Sequence, residues 1–317
     1  MEFVGEGNKE EVERLLSEDS STRVAARDRM GSTPLEISIQ KGHHEIVKLL
    51  LQYGADFSGT SLYKFAHAGT FECVEALLRH GADINASNDF DQTALHAAAS
   101  NGHESLLRFL IEKGADCQAG DRFNCTPLHN AARKGHVGVV IHLLASGAYV
   151  DSSAVYEGTA LHISAGKGHV TVASLLLAGA ADVNSMDRSC RTPLHCASER
   201  QCPEMIRMLL KANAHVNTMT TRGFTSLSYA LGRDDWSRRY DKKTHVESAK
   251  LLLAAGAEFC LKDWEYICHE HKELFANYRP AGAEWTQVAD STNVPWSAES
   301  DEKYADVLRA SNHDNGQ

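Results

Sequence analysis

Residues 126–147 read Thr-Pro-Leu-His-Asn-Ala-Ala-Arg-Lys-Gly-His-Val-Gly-Val-Val-Ile-His-Leu-Leu-Ala-Ser-Gly, and this stretch encodes two helices and two stops. Thr126 suits an N-cap, Pro127 is pre-shaped for the first helical position, and His129 stands three residues past the cap, where it can reach back to the open backbone donors. Small residues follow, Ala131 and Ala132, which let a short helix approach its neighbours, and Gly135 then stops it. A second helix carries Val140, Leu143 and Leu144 on one face at i, i+3 and i+4. Gly147 ends that helix in the left-handed conformation that glycine adopts without a Cβ clash.

Working outward, the same text recurs. Thr93-Ala-Leu-His96, Thr126-Pro-Leu-His129, Thr159-Ala-Leu-His162, Thr192-Pro-Leu-His195 and Thr225-Ser-Leu-Ser228 begin at intervals of 33 residues. Thr33-Pro-Leu-Glu36 and Thr60-Ser-Leu-Tyr63 extend the series to seven starts. First-helix stops fall at Gly42, Gly69, Gly102, Gly135 and Gly168. Second-helix stripes recur as Val47/Leu50/Leu51, Val74/Leu77/Leu78, Leu107/Leu110/Ile111 and Ile206/Leu209/Leu210, and their ends as Gly54, Gly81, Gly114 and Gly256. Asn213 is an acceptable substitute for that glycine and Ala180 a poor one.

These residues resemble the ankyrin repeat, with its period of 33 and its Thr-Pro-Leu-His signature. The resemblance covers about residues 5 to 278 and implies an all-α solenoid of helix-turn-helix units with short β-hairpin fingers. The expected organisation is a repeat domain over 1–278, about seven full repeats plus N- and C-terminal caps, and a linker-like tail over 279–317. Gly7, Val12, Leu15 and Leu16 match the second half of a preceding unit; Trp264, Ile267, His271, Leu274, Phe275 and Tyr278 form the face of a closing helix.

Two irregularities stand out. Thr33 to Thr60 spans 27 residues, which predicts a truncated finger, and Thr225 to Gly256 spans 31 where 21 is usual, which inserts ten residues around Arg233–Lys242. The insertion is either a solvated loop or a recognition loop using Trp236, Arg238, Arg239 and Tyr240. Stability in a repeat array is distributed among coupled neighbours, so the seventh unit and the cap are expected to exchange amide protons earliest.

Composition and charge narrow the function. With 43% hydrophobic and 23% charged residues the chain can bury a core, and its net charge of −10 disfavours nucleic acid and anionic membranes. No apolar run approaches membrane length and the first residues lack a signal-peptide pattern, which predicts an intracellular protein, cytoplasmic or nuclear. The eight cysteines are too dispersed for a disulfide scaffold, so reduced thiols are expected. Nine of the 17 histidines are explained by repeat position, Cys268-His-Glu-His271 lacks zinc spacing, and no phosphate loop or nucleophile motif is present. No metal, cofactor or enzymatic activity is expected.

By family resemblance, partners meet the finger tips and the face made by the first helices. Phe90, Phe123 and Tyr156 lie 33 apart, three residues before their threonines; they are either packed finger on finger or exposed as anchors. Eight residues after the threonines stand Lys41, Lys134, Lys167, Arg200 and Arg233, with Arg133 beside them and Arg122, Arg188, Arg191 and Arg222 in the fingers. A cation at a helix C-terminus is favoured by the dipole alone, yet this row could also form a basic groove for an acidic segment with apolar anchors. Asn85, Asn184 and Asn217 share the hairpin position that, in some members of the resembled family, is hydroxylated. Three roles remain open: a monomeric adaptor or scaffold for another protein, the targeting arm of a larger enzyme or signalling protein, and a structural spacer.

Overall fold

The computed structural model describes residues 1–57, 62–232 and 242–259. Thr60, the insertion residues Trp236, Arg238, Arg239 and Tyr240, the closing helix and the tail lie outside the described residues. The molecule is a row of paired antiparallel helices. First helices span Pro34–Gln40, Leu62–His67, Ala94–Asn101, Pro127–Lys134, Ala160–Lys167, Pro193–Glu199 and Ser226–Ala230. Second helices span Lys9–Glu18, His44–Gln52, Phe71–Arg79, Glu104–Glu112, Val137–Ala145, Val170–Ala178, Pro203–Lys211 and Lys242–Ala254. First helices stack on first helices and second on second, in two layers that enclose one hydrophobic core from Val4 to Phe259.

The four-residue signature works as a bolt between units. At Thr126 the backbone N–H donates to His129 Nδ1 at 3.0 Å, while the other ring nitrogen, Nε2, meets the carbonyl of Gly158 in the next unit at 3.2 Å. Because the backbone N–H can only donate, Nδ1 is the acceptor, and the neutral ring carries its hydrogen on Nε2. His96, His162 and His195 repeat this, reaching the carbonyls of Cys125, Arg191 and Phe224. A second histidine series, His43, His103, His136 and His169, starts the second helices and reaches back to the preceding unit at Gly5, His67, Ser100 and Arg133. In the seventh unit Ser228 substitutes in the cap, and its hydroxyl accepts from the Thr225 N–H at 3.1 Å.

Several expectations need correction. Val47, Leu50 and Leu51 are buried as expected, but in four other units the second-helix stripe is centred one residue earlier than its i, i+3, i+4 spacing indicates: Cys73, Leu106, Val139 and Met205 are enclosed, whereas Leu78, Ile111, Leu144 and Leu210 are half-buried. Each of these second helices is gripped by its own first helix and by the second helices on either side, so the residue before the stripe is covered and the i+4 residue leans to the edge. Among the described residues one finger is a β-hairpin, Ser153–Ala154 with Gly158–Thr159, and another has a single antiparallel bridge, Ser87 with Thr93. In four fingers other than the hairpin an Asx side chain builds the turn, as when Asp121 Oδ1 accepts from the N–H groups of Phe123 and Cys125 at 2.9 Å, and in the seventh unit the Thr220 hydroxyl accepts from the Phe224 N–H. Ala154 occupies that position in the exceptional finger and offers no oxygen, so strand pairing replaces the side-chain anchor. At the N-terminus, the turn Glu2–Gly5 precedes Lys9–Glu18, so more than a second helix precedes Thr33.

Left-handed residues fall where helices were expected to stop, at Gly102, Gly135 and Gly168 for first helices and at Asn213 (φ 65°) and Ala180 (φ 64°) for second helices. Gln201 takes the first-helix stop in the sixth unit at φ 57°, and its amide donates to the carbonyls of Tyr229 and Ala230. Ala180 carries the cost of a Cβ in this conformation, so Ala180→Gly is expected to raise stability by roughly 0.5–1 kcal/mol. An unchanged or lowered midpoint in urea unfolding would contradict that expectation.

The seventh unit has a visible weakness. Ser226 and Ser248 are fully buried with unpartnered hydroxyls, at positions that the other units fill with alanine, proline or, once, serine (Ser61), and with apolar residues from Ile46 to Met205. Each such hydroxyl costs about 1–3 kcal/mol relative to a satisfied group, a physical ground for early amide exchange there.

Candidate functional site

The finger turns are joined side by side. The Arg122 N–H donates to the Phe90 carbonyl at 3.2 Å, the Val155 N–H to the Phe123 carbonyl at 2.8 Å, and the Thr221 N–H to the Ser189 carbonyl at 2.9 Å. Main-chain bonds thus tie the fingers of the units starting at Thr93, Thr126 and Thr159 into one run and those of the units starting at Thr192 and Thr225 into another; the Arg188 guanidinium over the Tyr156 ring bridges the two runs into a ledge, bordered on the first-helix side by the last turns of Pro127–Lys134 and Ala160–Lys167.

The expected aromatic row is present on this ledge, and both readings of it apply in part. Phe123 is half-buried with its ring 5.9 Å from that of Tyr156, a tilted pair, so these fingers do pack on one another. Phe90 and Tyr156 nevertheless keep 43% and 48% of their surface open. The Arg122 guanidinium lies 4.4 Å from the Phe90 ring centre, and that of Arg188 lies 6.0 Å from Tyr156. Guanidinium planes are therefore interleaved with the rings.

The basic row needs correction, because two of its members are already neutralised. Arg133 is paired with Glu157 of the next finger and bonds Asn130 Oδ1 at 2.8 Å. Arg191 binds Asp187 at 2.8 Å and Glu199 at 3.4 Å. Both guanidinium groups are largely covered, so they hold the ledge together rather than present charge. Arg122, Lys134, Lys167, Arg188 and Arg200 are exposed; Lys134 and Lys167 sit in last turns that also suit them to the helix dipole.

Asn85, Asn184 and Asn217 have structural duties. Asn184 Oδ1 accepts from the His215 N–H at 2.7 Å and Asn217 Oδ1 from the Glu258 N–H at 3.0 Å, while Asn85 Oδ1 accepts from the Asp116 N–H at 2.9 Å. Each ties its hairpin to the following unit.

Sequence reasoning missed the methionines. Met186 and Met219 are 54% and 57% exposed on adjacent fingers, and Met30 is more than four-fifths exposed on an earlier one. The signal was available in the separation of 33 between Met186 and Met219, immediately before the turn residues Asp187 and Thr220.

Reactive chemistry is poorly supported by the buried thiols. Burial pushes Cys125 and Cys196 up to about 12, so neither is a thiolate at neutral pH. The described residues contain no cluster of three or more metal-ligating side chains. No helix among them is long and apolar enough to cross a membrane.

A family model described as ankyrin repeats matches residues 1–61, 62–154, 150–220 and 181–263. Among curated proteins no significant match is found.

Proposed function

Because this chain belongs to the ankyrin-repeat family, whose members are generally protein–protein interaction modules, we propose that it is a non-catalytic adaptor or scaffold that binds a partner along its finger ledge. Seven full repeats between two caps present that ledge, and the units starting at Thr93, Thr126, Thr159 and Thr192 contribute most of it. The carrying observation is that Phe90, Tyr156, Met186 and Met219, large apolar side chains exposed to water, occur on consecutive or nearby fingers. Rigid aromatic anchors beside arginine are the composition of energetic centres in protein interfaces. The second-helix layer has fewer such side chains, Ile141 being the main one.

The test is affinity capture with the wild-type chain and with Phe90→Ala/Tyr156→Ala, quantified by mass spectrometry. The double variant is expected to keep its helical content and to lose the specific partner by about tenfold or more. Equal capture by both would reject the ledge as the binding face. Capture of no partner by the wild type would favour a spacer role.

A further inference from the structure

Carboxylates and cations on the ledge do not balance. Across the finger turns and first-helix ends of the units starting at Thr93, Thr126, Thr159 and Thr192, seven cations face six carboxylates, in a chain whose net charge is −10. Asp89 and Asp91 are exposed on either side of Phe90, and the other four carboxylates are committed within the fold. Asp121 caps its own turn, Glu157 holds Arg133, and Asp187 and Glu199 hold Arg191. The surplus over Asp89 and Asp91 is carried by exposed side chains, among them Arg122, Lys134, Lys167 and Arg188, with Lys134 and Lys167 on the units away from those two carboxylates.

Spacing decides what shape of partner can use that surplus. Packed helices sit about 8–10 Å apart, so anchors on successive units recur at that step. A β-strand returns a side chain to the same face every 6.7 Å or so and falls out of register after one unit. A polyproline II segment returns every third residue, about 9.3 Å, and stays in register over several units. Its proline rings also suit aromatic faces, as in other grooves that bind this conformation.

From charge and pitch together we infer that the ledge takes an acidic polyproline II segment of a partner protein, with carboxylates at every third residue. The carboxylates meet Lys134 and Lys167, and the intervening apolar residues lie along Phe90, Tyr156 and their covering guanidinium groups. This rests on the binding role proposed above and specifies its partner. A nucleic acid strand would bring one charge per nucleotide against an acidic protein with few surplus cations, and is disfavoured on that count.

The test uses the full chain and fluorescein-labelled peptides in anisotropy titrations. The probe is four Glu-Pro-Leu triplets, about 12 residues long. Controls of similar length are alternating Glu-Leu, four Lys-Pro-Leu triplets, and a single strand of thymidines. The Glu-Pro-Leu probe is expected to bind at least about tenfold tighter than every control and to weaken with salt. Lys134→Glu/Lys167→Glu should weaken it about tenfold or more, and the milder Lys134→Gln/Lys167→Gln should weaken it less. Equal binding of alternating Glu-Leu, tighter binding of the thymidine strand, or indifference to both lysine variants would overturn the inference. If no peptide binds while Phe90→Ala/Tyr156→Ala still abolishes capture of a partner, this inference fails and the binding role stands. If that capture is unaffected too, both fail.

Discussion

Replacing His129 with alanine is expected to cost the array roughly 3 kcal/mol or more. The imidazole is fully buried and serves two units at once, accepting from the Thr126 N–H and meeting the Gly158 carbonyl across the interface. Alanine leaves a buried donor and a buried acceptor unpaired, each costing about 1–3 kcal/mol, and opens a cavity beside them. Serine separates the two duties, because the seventh unit shows that Ser228 can replace the capping nitrogen for Thr225. The serine hydroxyl is too short to reach the next unit, so His129→Ser should fall between wild type and His129→Ala. Urea unfolding followed by circular dichroism checks the order. A His129→Ala midpoint equal to wild type would mean that the signature is a local cap and does not couple neighbours.

Acid should unfold the array over a window set by the same rings. Burial lowers His129 and His195 to about 4, and lowers His96 and His162 as well. Geometry explains the same preference, since a protonated Nδ1 would point a hydrogen at the threonine N–H. With folded values below the unfolded value near 6.5, the neutral rings favour the fold fully above about pH 6.5. That contribution is lost as pH falls from 6.5 through about 4, worth roughly 3 kcal/mol for each of His129 and His195. Measured stability should therefore drop steeply across this window. The variant His129→Ser/His195→Ser, less stable at pH 7, should show a shallower drop. An identical pH slope in the two proteins would exclude these histidines as the cause.

Much of the fold is legible in single residues, because helix starts and stops depend on local chemistry. Thr126, Gly135 and Asn213 could each be assigned from their own side chains, and Ala180 could be read as a left-handed residue out of place. Gln201 could not, since only its reach to the carbonyls of the following unit makes a non-glycine residue useful there. The ledge was half legible. Periodicity placed Phe90, Phe123 and Tyr156 in one row, but whether a ring is open depends on its neighbour across a finger, as Phe123 against Tyr156 demonstrates. Arg133 and Arg191 read from the sequence as presented charge, because Glu157 and Glu199 lie 24 and 8 residues away in the chain and carry no motif marking them as partners.

The central claim, that the finger ledge is the binding face, is tested most directly by placing a photoreactive phenylalanine analogue at Tyr156 and, separately, at Ile141. These side chains are similarly exposed, at 48% and 46%, but Ile141 projects from the second-helix layer. The account predicts crosslinks to a discrete partner from position 156 and not from position 141. Crosslinks from position 141 with none from position 156 would contradict it.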